Sequence, residues 1–363
     1  MKKRVLNFFK NIKQKPDVIL IKNSSEQFID ENFFYSTGLN KGLFENSFAL
    51  LYPEGSIDII TTNLEYESAK KASANIRVYK NEKELYSILK ELLKKASKIG
   101  INAKNITYKD VLKFKEFIPN KKILDVSQAF IDARMIKDET EIDKIKKAAE
   151  IADKTIQFIP EILHKGMTEY ELAAEISYSL QKNGADKSAF DIISSFGENT
   201  AEPHYTHGDK KLKNGDIVLC DFGACFQRYN SDITRTFIFG KASEKQKRMY
   251  NTVLKAQKIG FEKIKTGVKA NIVHNAVKRY IDSTEFKNLF IHSTGHALGM
   301  SVHDPGIGFN SECKDMLQKN MVLTVEPGVY ISGYGGVRIE DDILVKKDGL
   351  ELLTKSSRGL IEI

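Results

Sequence analysis

The sequence predicts two domains: an α/β domain over residues 1–132, then an α+β domain over 133–363 with helices outside a curved antiparallel sheet. Three observations predict this. Strand and helix signals alternate up to about residue 130, the pattern of layered α/β units. Ala133-Arg134-Met135-Ile136-Lys137-Asp138 reads as a join before a long amphipathic helix. Beyond it, two stretches of similar design each carry an apolar strand into an acid, through glycine and an aromatic, to a second strand with a second acid. At 363 residues the chain also exceeds the usual size of one domain.

In the first domain, Val18 to Ile21 reads as a strand. Phe48 to Tyr52 and Ile57 to Thr61 flank the turn sequence Pro53-Glu54-Gly55-Ser56, which predicts a hairpin. Leu85, Ile88, Leu89 and Leu92 give Glu82 to Lys98 the apolar spacing of a helix. Ile99 to Ile101 and Ile123 to Val126 are further short strands. This half holds no histidine and no cluster of reactive side chains, so it reads as an accessory domain.

In the second domain a helix begins near Thr140, with Ile142, Ile145, Ala149 and Ala152 on one face. Thr168-Glu169-Tyr170-Glu171 is a capping box opening the next helix. Two more helices are predicted over about 243–265 and 270–281. Between them lie the acids. Lys213-Asn214 leads into Ile217-Val218-Leu219-Cys220 and Asp221; Lys319-Asn320 leads into Met321 to Val325 and Glu326. Gly223 and Phe226 follow one acid, Gly328 and Tyr330 the other. The second acids are Asp232 and Glu340. We read two β-hairpins, each offering two carboxylates from adjacent strands. Residues two apart share a face of a strand, so the hairpins can enclose a four-carboxylate box. Four buried carboxylates repel one another and stay protonated; a pair of divalent cations removes that penalty. His296, in His292-Ser293-Thr294-Gly295-His296, adds an imidazole, and the glycine beside it suggests close backbone approach.

Composition bounds the partners. Charged residues are 29% and hydrophobics 41%, ordinary for a globular chain. The net charge of +8 is dispersed lysine without interleaved aromatics, a solvated surface rather than a nucleic-acid face. Three cysteines without C-x-x-C spacing point to reduced thiols and the cytoplasm. Cys220 alternates away from Asp221 on its strand and is expected in the core, not on a metal. The basic start Met1-Lys2-Lys3-Arg4 is followed by an apolar run broken at Lys10 and Lys13, too short for a secretory signal. No stretch approaches the ~20 apolar residues that span a bilayer.

The motifs Asp-x10-Asp (Asp221, Asp232), HxxGHxxGxxxHD (His292 to Asp304), EPG (Glu326 to Gly328) and GVRIED (Gly336 to Asp341) occur in the order of a known family. The chain resembles the pita-bread dinuclear metallopeptidases: methionine aminopeptidase, aminopeptidase P and prolidase, with creatinase as a relative. The resemblance covers the whole length, because the Xaa-Pro-cleaving members also carry an α/β N-terminal domain. It implies that Asp221 chelates one of two divalent ions and Asp232 touches both. His296 and Glu326 would bind the other ion, and Glu340 would bridge the pair. Mn is expected ahead of Co, since the ligands are mostly oxygens. A water held between the ions would be the nucleophile and Glu326 its proton shuttle. His303 would bond the scissile carbonyl or the amine side of the tetrahedral intermediate. His204, in Glu202-Pro203-His204-Tyr205, would contact the proline carbonyl or carboxylate. Arg338 would orient Asp232 or Glu340, or hold a substrate carboxylate. The implied substrate is a peptide with proline second, and the implied assembly a homodimer. Gly197-Glu198-Asn199 with Pro203-His204-Tyr205, where prolidases often read Pro-His-Gly, favours aminopeptidase P over prolidase. Two other readings are a metal-free peptide-binding module of the same fold and creatinase-like hydrolysis of a small molecule; both expect an incomplete ligand set.

Overall fold

A computed structural model describes residues 1–363, and the chain divides between Arg134 and Met135 into two compact units. The first unit is built on β1 (Val18–Lys22), β2 (Phe48–Leu51), β3 (Ile57–Thr61), β4 (Asn75–Val78), β5 (Lys98–Ile101) and β6 (Lys122–Asp125). They form one mixed sheet in the order β4-β3-β2-β1-β5-β6. The predicted hairpin is β2 antiparallel to β3, with Phe48 opposite Ile60. Around the sheet lie α1 (Lys2–Lys10), α2 (Glu31–Thr37), α3 (Tyr66–Ala69), α4 (Glu82–Leu93), α5 (Tyr108–Phe117) and α6 (Ser127–Met135). One of these elements departs from expectation, and another lies where the sequence reading made none. The helix predicted over 82–98 stops at Leu93, because Asp17 accepts the N–H groups of Ser97 and Lys98 at 2.7 and 2.9 Å and turns Lys98 into β5. The basic start forms α1, which buries Val5, Phe8 and Phe9.

The second unit repeats one plan twice. In its first half α7 (Glu139–Ile162) and α8 (Glu169–Lys182) precede β7 (Lys187–Ser188), β8 (Ile193–Phe196), β9 (Ile217–Phe222), β10 (Ala224–Phe226), β11 (Tyr229–Asn230) and β12 (Ile233–Ile238). In its second half α9 (Glu244–Lys263) and α10 (Ala270–Asp282) precede β13 (Val322–Val325), β14 (Gly328–Ile331), β15 (Gly335–Arg338), β16 (Asp341–Val345) and β17 (Leu350–Leu352). Capping boxes open α7 at Asp138/Glu141, α8 at Thr168/Glu171 and α9 at Ser243/Gln246, each cap contributing about 1 kcal/mol.

Each half has an outer and an inner hairpin. β9 pairs antiparallel with β12, and β13 with β16. The inner hairpins are β10–β11 and β14–β15. The four acids lie where outer hairpin passes into inner: Asp221 near the end of β9, Asp232 just before β12, Glu326 just after β13 and Glu340 just before β16. Gly223 makes the first of these crossings possible, since a Cβ there would stand 1.8 Å from the Ser231 carbonyl oxygen. No helix is long and apolar enough to cross a membrane.

Candidate metal centre

Strand parity decides where the acids point. Val218, Cys220 and Phe222 of β9 enter the core formed with α7 and α8, so Asp221 faces the other way. Burial pushes the Cys220 thiol far up, as suits a core residue. On β12, Ile233 and Phe237 enter that same core, which leaves Asp232 and Thr234 on the face of Asp221. In the second half Leu323, Val325, Ile343 and Val345 pack into the core with Val273 of α10. Thr324, Glu326, Glu340 and Asp342 are thereby turned to the opposite side. The halves join through β12: Glu340 N–H donates to the Thr234 carbonyl at 3.1 Å, and Asp232 N–H to Asp342 Oδ2 at 3.0 Å.

His296 arrives on an irregular extended segment beside β13. Thr324 N–H donates to the His296 carbonyl at 2.9 Å, and Glu326 N–H to the Thr294 carbonyl at 2.8 Å. Only glycine fits between them, since a Cβ on Gly295 would lie 1.9 Å from the Thr324 carbonyl oxygen. The sequence reading of close backbone approach at this glycine has this cause.

The five residues converge. His296 Nε2 lies 3.6 Å from Asp232 Oδ2 and 3.9 Å from Glu326 Oε1. Single ligand atoms of Asp232, His296 and Glu340 all lie within 4.8 Å of one another. Burial first, then neighbouring carboxylates, hold Asp232 and Glu326 well above the carboxylate range and push Glu340 up to about 8; Asp221 is one of those neighbours for all three. Burial, then His303, lowers His296 to about 4, so its ring is neutral. Its Nδ1 stands 3.1 Å from the Ala297 carbonyl; a proton there leaves the Nε2 lone pair facing the acids.

Asp221 Oδ1, Asp232 Oδ1 and Glu340 Oε1 are buried without any hydrogen-bond partner. Orphaned acid oxygens beside an imidazole lone pair are a donor set for divalent cations, and the residues present fit such ions.

Arg338 is buried, and each of its three nitrogens donates a hydrogen bond. Nη2 donates to Asp221 Oδ2 at 2.6 Å, Nε to Thr234 Oγ1 at 3.1 Å, and Nη1 to Tyr330 OH at 2.9 Å and the Pro203 carbonyl at 3.4 Å. The structure thus places it on Asp221 rather than on Asp232 or Glu340. His303 is exposed, its ring centroid 4.1 Å from that of His296. His204 is exposed on the rim of an open groove of about 880 Å³.

Several residues of the site have roles that the sequence alone did not assign. Tyr330 OH lies 2.9 Å from His292 Nε2, and His292 Nδ1 lies 3.8 Å from Glu326 Oε2, which extends the Arg338 chain to the acid. Thr234 donates to Glu340 Oε2 at 2.7 Å. Glu169, read as part of a cap, is buried and organises the His204 loop instead. It accepts from Phe196 N–H at 2.8 Å and from Asn199 Nδ2, Tyr205 OH and Gly208 N–H, each at 2.9 Å. The capping is done by Glu171.

Comparison with known proteins identifies the family of both domains. The Metallopeptidase family M24 model matches residues 143–347, and the Creatinase/Prolidase N-terminal domain model matches 12–136. An Xaa-Pro dipeptidase of Pyrococcus furiosus is 40% identical over 300 residues, 82% of this chain and 84% of that protein. The structure of the prolidase from Pyrococcus horikoshii matches with a TM-score of 0.89 at 36% identity, over 99% of both chains. That of an X-Pro aminopeptidase from Thermotoga maritima matches with a TM-score of 0.90 at 30% identity, over 96% of this chain and 98% of that one. The architecture is the one the resemblance implied, a creatinase-type N-terminal domain followed by a pita-bread domain. With this family model over more than half of its length and a relative 40% identical, the chain belongs to the M24 metallopeptidase family.

Proposed function

We propose that this protein is an Xaa-Pro dipeptidase whose ligands Asp221, Asp232, His296, Glu326 and Glu340 hold two divalent cations, Mn ahead of Co. The observation that carries hydrolysis is the convergence of orphaned acid oxygens and the His296 lone pair beside the exposed His303. Bound there, the cations would lower the pKa of a shared water and stabilise charge developing on the scissile carbonyl oxygen. Glu326 would take the proton: its side chain is 16% exposed, against 11% for Asp221 and 6% for Asp232, and it is the acid of the three most open to an incoming substrate. Its proton goes to the leaving proline nitrogen, which lacks an N–H of its own before cleavage. His303 donates to the scissile carbonyl, and His204 binds the proline carboxylate. Arg338 fixes Asp221. A metal-free binding module and creatinase-like chemistry both fit poorly with a complete ligand set.

Restriction to dipeptides rests on the relatives: those at 40% and 39% identity are both named Xaa-Pro dipeptidase. This reverses the preference for aminopeptidase P drawn from the sequence. The tyrosine behind that preference has an architectural role, since Tyr205 OH lies 2.9 Å from Glu169 Oε2 and 2.7 Å from Asn199 Nδ2. Three free thiols support a cytoplasmic home. The test compares Xaa-Pro, Xaa-Pro-Xaa and Xaa-Ala with the Mn-loaded protein. Cleavage of Xaa-Pro alone is expected. Equal cleavage of Xaa-Ala would discard the proline assignment, and efficient cleavage of Xaa-Pro-Xaa would move the protein to the aminopeptidases.

A further inference from the structure

Beside the metal ligands, a second charged pair is sealed inside the same unit. Lys137 Nζ lies 3.0 Å from Asp304 Oδ2, and both side chains are only 1% exposed. The segment before Asp304 is folded around its carboxylate. Ser301 N–H donates to Asp304 Oδ1 at 3.2 Å, Asp304 N–H to the Ala297 carbonyl at 2.9 Å, and Gly299 N–H to the Ser301 carbonyl at 3.1 Å. Gly299 leaves no room for a side chain, since a Cβ would meet Asp304 Oδ2 at 2.6 Å. Asn230 fixes the other end: its Nδ2 donates to the Met300 carbonyl at 2.8 Å and its N–H to the Gly299 carbonyl at 2.9 Å. Lys137 is itself anchored, its N–H donating to the Asn320 carbonyl at 2.9 Å just ahead of β13. A buried ion pair rarely adds stability over a well-packed apolar pair of the same volume. What it does supply is one fixed geometry, and the residue whose geometry it fixes is His303, next in sequence and exposed toward His296.

We infer that Lys137 and Asp304 are positioning residues that aim the His303 ring at the scissile carbonyl. The inference rests on the role given to His303 above. Asp304→Asn leaves the Lys137 charge without its partner and loosens the 299–304 turn. Misplacement by about 1 Å at a group that contacts the reacting atoms costs up to ~10² in rate. Turnover should therefore fall about tenfold to a hundredfold, with metal content unchanged.

The test measures kcat and KM on an Xaa-Pro dipeptide, metal content, melting temperature and the His303 ring resonance by NMR. The variants are Asp304→Asn, His303→Ala, their combination, and the apolar pair Lys137→Met with Asp304→Leu. The combination should be no slower than His303→Ala alone, because Asp304 acts through that ring. The apolar pair should melt no lower than Asp304→Asn, because no charge is left buried alone, and still turn over slowly. The parent is expected to show a single sharp His303 resonance, which should broaden or shift in both Asp304 variants. The inference is overturned by additive losses in the combination, by loss of metal in Asp304→Asn, by full turnover in the apolar pair, or by an unchanged His303 resonance. A parent that does not cut Xaa-Pro dipeptides would refute the proposed function instead, and the ring resonance would still decide the positioning role without substrate.

Discussion

The acid box makes the metal-stripped protein sensitive to pH in a direction that can be worked out. Glu340 is pushed from 4.5 up to about 8 in the fold, chiefly by burial and by Asp221. A carboxyl with a raised folded pKa contributes stability that is full below its unfolded pKa and is lost as pH rises through the folded one. Two imidazoles act in the opposite sense: burial lowers His292 and His296 from 6.5 to about 4, so stability is lost as pH falls below 6.5. The clean window is therefore pH 6.5 to 8, where the raised acids dominate. Over that span Glu340 alone is worth about 2 kcal/mol, or roughly 4–8 °C in melting temperature for a domain of this size. Asp232 and Glu326 are displaced in the same direction and steepen the slope. The assay is calorimetry of chelator-stripped and Mn-loaded protein at several pH values in this window. The stripped protein should melt lower as pH rises, and the loaded protein should stay nearly level, because cations replace the protons. Glu340→Gln should flatten the stripped curve. A stripped protein with a level or rising melting temperature, or a loaded protein falling just as steeply, would refute the reasoning.

Three further outcomes follow from the site. Asp232→Ala removes a carboxylate at the centre of the cluster; elemental analysis should show loss of at least one metal equivalent and turnover should fall by several orders of magnitude. His303→Ala should lower turnover by ~10²–10³, the usual loss for one transition-state hydrogen-bond donor, with metal stoichiometry intact; bound metal lost in this variant would make His303 a ligand. Glu169→Gln disturbs the carboxylate that organises the His204 loop, so KM for an Xaa-Pro dipeptide should rise about tenfold, the effect of ~1.4 kcal/mol, while metal content stays at the parent value.

The parts legible in the sequence were those governed by local rules. Strand alternation sent Cys220 to the core and Asp221 to the opposite face, and the paired Lys-Asn leads into Asp221 and Glu326 marked a repeated plan. Spacing also predicted the β2–β3 hairpin and the Thr168 cap. What escaped depended on distant partners. The stop of α4 at Leu93 is set by Asp17, far away in the chain. Arg338 selects Asp221 because β15 folds back beside β9, which no periodicity reveals. Glu169 looked like a cap residue, and only the fold brings the loop with Phe196, Tyr205 and Gly208 onto its carboxylate. The Lys137–Asp304 pair joins residues on either side of the whole first half of the unit.

The central claim is that these ligands hold two cations and that both serve cleavage of the Xaa-Pro bond. The most direct measurement is a titration of chelator-stripped protein with Mn, following bound metal by elemental analysis and Xaa-Pro dipeptide hydrolysis in the same samples. The account predicts no activity without metal, and full activity only as the second equivalent binds. Full hydrolysis by protein shown to hold no metal, or saturation of binding below two equivalents at full rate, would contradict it.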